Sequence, residues 1–255
     1  MERKYELTEE TTECLGHTLH RIRALRDFGD VHVGDLGGFI ESEHNLSHID
    51  NCWVYDNAKV FDRAQVTYDA KISNDARVHG HAWVTDFAMV YGNANVYGYA
   101  KLRDGAAVFD DAAVCNETAI WDNARVYGKA TIQGDNRIFD SVNVYGNAIV
   151  NDTAHLCGDA IICGCAVIHG AIKISNDAYI DSMDGYLVVD NIGSRYKATT
   201  IYKCTDDQLR VTCGCFTGTL DEFREAVIRK HEKHHIHLNR YLLMIDFVKQ
   251  YFDVK

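Results

Sequence analysis

From Val54 the chain places Val, Ile or Leu at every sixth position and keeps doing so through Ile180, twenty-two times without a gap. Four positions after the aliphatic residue comes a second inward type, which is Ala seventeen times, as at Ala58, Ala64, Ala94, Ala124 and Ala178. Two positions after it stands Gly, Asp or Asn, except where Tyr68 and Ser182 occur. A six-residue period matches neither a 3.6-residue helix nor a long alternating strand. It suits a short strand and a corner: the aliphatic packs inward, the alanine fits where the chain turns sharply, and Gly, Asp and Asn accept the positive φ of the turn.

Three such units close a triangular coil, as in parallel β-helices. Residues 54–179 then give seven coils, and stacking at about 4.8 Å per strand predicts a prism roughly 30 to 35 Å long. The expected fold class is mainly β. Residues 1–53 read as an N-terminal β cap, with strands in KYELT, HTLHRIRAL and GGFI and turns at Gly16 and Gly37-Gly38. The cap would cover the open edge of the first coil. Residues 54–185 form the repeat, and residues 186–255 read as a small α+β domain. In that last segment YLVVDN, KATTIYKC and QLRVTCGCF are strand-like. A capping box at Thr219 to Glu222 opens one helix, and the spacing of Tyr241, Leu242, Ile245, Val248 and Phe252 predicts a second over about 238–252.

The pattern aliphatic-x-x-x-small-x resembles the hexapeptide repeat of left-handed β-helix proteins. The variant VYGNA, together with GDLGGFIESEHNLS at residues 34–47, is similar to the YdcK-like family of bacterial and phage proteins. Left-handedness is what the resemblance implies; spacing does not show it. The resemblance also implies an acyltransferase with a histidine base near a protruding loop and acyl-coenzyme A in a groove between subunits. This chain departs from that plan, because no insertion interrupts its hexads, and fold alone does not set function.

Histidines are the candidate bases under that reading. His79 and His81 lie in VHGHA, and His169 lies five coils beyond His79, too far to share a substrate within one chain. Each also reads as a solvated surface histidine. No His-x4-His pair suits a metal in the repeat, Cys163-x-Cys165 and Cys213-x-Cys215 would face one way along a strand, and HEKHHIH at 231–237 reads as a helix end or linker before a metal site. No metal and no resident cofactor is expected; acetyl-coenzyme A belongs to the acyltransferase alternative. Recurrent glycines such as Gly92 and Gly128 need no phosphate, since turn conformation explains them. Thr118 and Asn136, one coil apart, should stack as a buried hydrogen-bonded pair.

Folding the hexads by threes sorts the outward residues onto three flat faces. On the first, begun by Val54, one column runs Tyr55, Ser73, Tyr91, Phe109, Tyr127, Tyr145, and its neighbour holds Trp53 and Met89. The second offers Phe61, His79 and Tyr97, and the third Thr67, Thr85, Arg103, Trp121 and Phe139. Apolar surface concentrates on the first face, which predicts contact with another chain in a homodimer or homotrimer, or a stacked planar ligand.

Composition narrows the choice. The net charge is −11, and residues 54–185 carry 10 basic and 17 acidic side chains. That disfavours nonspecific binding to nucleic acid or an anionic membrane. Nine cysteines with no CxxC, no proline, and a charged N-terminus without a run long enough to span a bilayer point to a reduced, cytoplasmic protein. The favoured function is a non-catalytic oligomeric binding protein on a rigid acidic scaffold. It would be phage-borne by resemblance, acting on a host macromolecule by acidic mimicry or sequestering a small ligand. The alternative is the acyl-coenzyme A-dependent transferase, with His79, His81 or His169 as base.

Overall fold

The computed structural model describes residues 3–193 and 198–254. Its body is a parallel β-solenoid of two-residue strands, from Trp53–Val54 to Tyr179–Ile180, spaced six residues apart without interruption. All twenty-two repeat aliphatics have no exposed surface, and the seventeen alanines lie at the corners between them at 0 to 1% exposure. Successive coils pair in register at intervals of eighteen residues, Met89 with Ala107 and Val90 with Val108, so like residues stack on like. The first face has eight strands and the third has seven.

The turns obey the conformational logic of the repeat. Every turn position from Asp56 to Asn176 has positive φ, and Tyr68 at +58° is the one residue there that is not Gly, Asp or Asn. Aspartate also contributes a bond that the periodicity does not display. The carboxylates of Asp56, Asp62, Asp110, Asp122, Asp140 and Asp152 each accept the backbone N–H of the turn residue one coil later, at 2.8 to 3.2 Å. Turn chemistry thereby accounts for part of the acidity of the repeat. Thr118 and Asn136 are fully buried, as expected, but they bond to backbone rather than to each other: Thr118 donates to Gly134 O, while Asn136 donates to Gln133 O and accepts from Ala154 N–H.

About eight turns are present, one more than hexad counting gives. Strand β1 (Tyr5–Cys14) and strand β2 (His17–Ala24) form a hairpin, β2 pairs with β3 (Leu36–Ile40), and β3 then pairs in parallel with Lys59–Val60. Leu46 bridges Val66 on the third face. The cap therefore extends the second face as well as covering the first coil. Gly16 turns the hairpin at φ +88°, but Gly37 and Gly38 do not turn. They lie within β3, where a Cβ on Gly37 would fall 2.6 Å from both Ile22 Cγ1 and Val54 O. Close packing requires glycine there, which local sequence cannot distinguish from a bend. Lys4 plugs the base of the prism, fully buried, its ammonium donating to Cys52 O at 2.8 Å and lying 4.9 Å from the Phe28 ring.

At the other end a four-stranded antiparallel sheet closes the last coil. Its strands are Tyr186–Val189, Thr199–Lys203, Leu209–Cys213 and Phe216–Thr219. Lys197, the first residue of KATTIYKC, lies outside the described residues. QLRVTCGCF, read as one strand, divides at Gly214, so Cys213 ends a strand while Cys215 is exposed in the turn. Cys163 and Cys165 likewise part company, one buried beside its strand and one exposed at the corner. Tyr202 and Tyr186 pack on the coil core, with Tyr186 donating to Val167 O at 2.9 Å. The sheet's opposite side meets helices α1 (Leu220–His231) and α2 (His235–Tyr251) through Val211, Phe223, Val227, Ile245 and Val248. The capping box at Thr219 and Glu222 forms, and α2 starts three residues earlier than its apolar stripe suggests.

Candidate functional site

On the first face the expected aromatic column is a continuous stack. Ring centroids of Tyr91 and Phe109 are 4.7 Å apart, those of Phe109 and Tyr127 4.8 Å, and those of Tyr127 and Tyr145 4.9 Å, all nearly parallel. These separations equal the strand spacing, so the backbone sets the stack and each ring pair adds about 0.5 to 1.5 kcal/mol. The four rings are half-buried by one another, and Met89 is exposed beside them. Burial raises the phenol pKa of Tyr91 and Tyr127.

Two residues expected on this face are withdrawn from it. Trp53 is 1% exposed, held edge-on against Phe28 at 5.3 Å and Tyr5 at 6.1 Å beneath the cap. Tyr55 donates to Asp30 at 2.8 Å, and Lys71 pairs with the same carboxylate. The loop carrying Phe28 and Asp30 thus claims the first coil, which no hexad count reveals. The open part of the face runs from Met89 and Tyr91 to Tyr145. Its two outward columns carry no carboxylate from Trp53 to Cys163.

The histidines separate. His79 sits within a second stack, between Phe61 at 4.8 Å and Tyr97 at 5.2 Å. Its Nδ1 is 3.8 Å from Asp62, its buried Nε2 has no hydrogen-bond partner, and burial lowers its pKa. His81 is exposed and stacked on Tyr99 at 4.6 Å. It borders a hollow of about 550 Å³ shared with Glu41, Ser42, Asp62, Arg63 and Gly80. His169 is exposed at the far end, edge-on to Tyr186 at 6.0 Å.

The sequence supplies no orienting partner for His79, yet the cap brings one network to it. His17 of β2 places Nδ1 3.0 Å from Glu41 and Nε2 3.2 Å from Asp62. The Glu41 hydrogen bond is the main cause that raises the His17 pKa, and Asp62 adds to it. The two carboxylates address opposite ring nitrogens, and the contact pins the hairpin to the prism. A single ion cannot take both nitrogens at once. Asp177, Cys204 and Asp206 form the other cluster with ligand-type atoms among the described residues. Burial pushes the Cys204 thiol up to about 12, and Asp206 is engaged by Arg210 at 3.1 Å. Neither cluster involves HEKHHIH, where His231 closes α1 in a buried position and His234 precedes α2.

The third face differs in charge. Its outward columns hold Lys101, Arg103, Arg137 and Lys173 with no acid, interleaved with Trp83, Trp121 and Phe139. A groove of about 660 Å³ opens between Trp83 and Trp121. The hexad fold already places Arg103, Trp121 and Phe139 in one column; the neighbouring column of Trp83, Lys101, Ala119 and Arg137 completes the groove, and reading both columns together is the signal that finds it.

No family model matches the chain, and no curated protein matches it.

Proposed function

We propose that this protein is a non-catalytic binding scaffold, a left-handed hexapeptide-repeat prism similar to YdcK-like proteins, that assembles with a second copy of itself through its first face. The observation that carries the reading is the half-buried stack Tyr91, Phe109, Tyr127 and Tyr145 beside exposed Met89, on a face whose two outward columns carry no carboxylate. Two chains of net charge −11 repel wherever their acidic corners meet, and this face offers an approach without that penalty. Flat apolar surfaces with aromatic residues suit protein contact better than small-molecule capture. A two-fold or three-fold arrangement keeps the contact closed. The test is the solution mass: a multiple of 28.8 kDa supports the reading, and a monomer at high micromolar concentration overturns it.

One observation favours the second reading, acyl transfer. His81 opens onto the hollow beside Glu41 and Asp62, and burial lowers the pKa of His79, whose Nδ1 lies next to Asp62. A neutral imidazole beside a carboxylate is the arrangement a general base requires. Calorimetry with acetyl-coenzyme A tests it: stoichiometric binding lost in His81→Ala supports transfer chemistry, and no heat excludes it.

A further inference from the structure

We propose that the groove on the third face is a binding site for a nucleotide, seating its base over Thr85 and its phosphate over Ala119. The site is independent of the first face and stands whether or not that face carries a second copy.

The third face carries an interrupted stack. Phe139 and Trp121 lie ring on ring at 4.7 Å, and the Arg103 guanidinium lies 5.1 Å over the other side of Trp121. The next position in that column, one coil earlier, is Thr85, short and buried at 5% exposure. A column of planar groups thus ends on the free side of a guanidinium, above a small floor. Trp83 stands beside this gap in the adjacent column, its indole N–H fixed by Thr67 Oγ1 at 3.1 Å, while Thr67 donates to Thr85 at 3.0 Å. A planar aromatic group entering the gap would continue the stack on Arg103, as bases do on guanidinium and indole faces.

The charge lies one step away. Lys101 pairs with Ala119 and Ala119 with Arg137 across neighbouring strands, so two cations flank a methyl-floored notch, each about 4.8 Å to one side. Among the described residues, neither Lys101 nor Arg137 has a carboxylate within salt-bridge distance, and Arg103 has one weak contact, to Asp104 at 3.8 Å. Unneutralised cations on an acidic protein are an anion seat. From notch to gap is two strands, about 10 Å along the stacking direction, which is the reach of a base from its own phosphate. A neutral sugar would leave the cations unused, and a simple polyphosphate would leave the rings unused. Asp86, next to Thr85 at the base end of the groove, accepts the backbone N–H of Asp104 at 3.3 Å and keeps its charge there, at the opposite end from the notch.

Tyr68 adds an independent observation. It lines the same groove, is 53% exposed, and holds the left-handed backbone that Gly, Asp or Asn adopts at every other turn position from Asp56 to Asn176. A strained bulky residue kept at the mouth of a cavity marks a side chain retained for contact rather than for the turn.

The test uses the full chain and adenosine 5′-monophosphate, followed by tryptophan fluorescence and calorimetry. Of the three tryptophans, Trp53 is sealed under the cap and gives a constant background, so a change reports Trp83 and Trp121. Saturable quenching is expected, with affinity reduced about tenfold or more in Ala119→Leu and in Arg137→Ala, each a loss of one well-placed contact. Tyr68→Asn should weaken binding while raising the melting temperature, a pairing that a purely structural tyrosine would not give. Adenosine and inorganic phosphate alone should each bind far more weakly. The assignment is overturned if no saturable change occurs at millimolar nucleotide, if Ala119→Leu binds as wild type does, if adenosine binds as well as the monophosphate, or if a thymidine dodecamer binds and the mononucleotide does not.

Discussion

Asp140 accepts the backbone N–H of Gly158, eighteen residues downstream, at 2.8 Å. The same carboxylate-to-turn bond recurs along the corners, which gives aspartate two duties there: tolerating positive φ and satisfying a backbone donor of the next coil. Its predicted consequence separates charge from geometry. Asp140→Asn keeps an acceptor oxygen and should change stability by less than about 0.5 kcal/mol, whereas Asp140→Ala should cost about 1 to 2 kcal/mol through the lost bond and the strained φ. Thermal denaturation of both variants checks this. Equal losses would show that the carboxylate's charge, rather than its acceptor, matters.

His17 links the cap to the coil through Glu41 and Asp62. Its folded pKa is raised above the ordinary imidazole value, so its contribution is fully present below that ordinary value and is lost as pH rises through the folded one. Neighbouring His79 has a lowered pKa and acts oppositely, its contribution falling away as pH drops. Comparison with His17→Gln isolates the first effect. The stability advantage of wild type over His17→Gln should grow as pH falls from about 8 to about 6. Urea midpoints across that range measure it, and a constant difference would mean the bridge carries no proton.

How much of this was legible follows from what each residue responds to. Val90, Ala94 and Gly92 answer to their own hexad, so their positions, burial and turn conformation are readable from spacing. Trp53 and Tyr55 belong to the same pattern, but the loop around Phe28 and Asp30 covers them, and contacts between distant segments leave no periodic trace. The same holds for the meeting of His17 with Asp62. The third-face groove was half visible, since Arg103, Trp121 and Phe139 share a column, but its notch depends on small residues, Thr85 and Ala119, whose meaning lies in what surrounds them.

Glycine supplies a contrast of mechanisms. Gly37 has ordinary φ and no room for a Cβ, with Ile22 and the Val54 carbonyl 2.6 Å from where one would lie. Gly214 has φ +63° and nothing within 4 Å. Gly37→Ala should therefore detach the cap at a cost above about 2 kcal/mol, while Gly214→Asn, which suits left-handed backbone, should stay within about 0.5 kcal/mol. Denaturation midpoints of the two variants decide it; comparable losses would contradict the packing account of β3.

If two copies meet at the stack from Tyr91 to Tyr145, Tyr91→Glu combined with Tyr127→Glu should separate them. Both side chains point outward from strands whose inward residues are untouched, so the coil should persist. Light scattering on the gel-filtered variant, with circular dichroism to confirm the β signature, is the measurement. A folded monomer near 28.8 kDa, against a dimer or trimer for wild type, is the predicted result. A variant that keeps the wild-type oligomer, or a wild type that is itself monomeric, would contradict it.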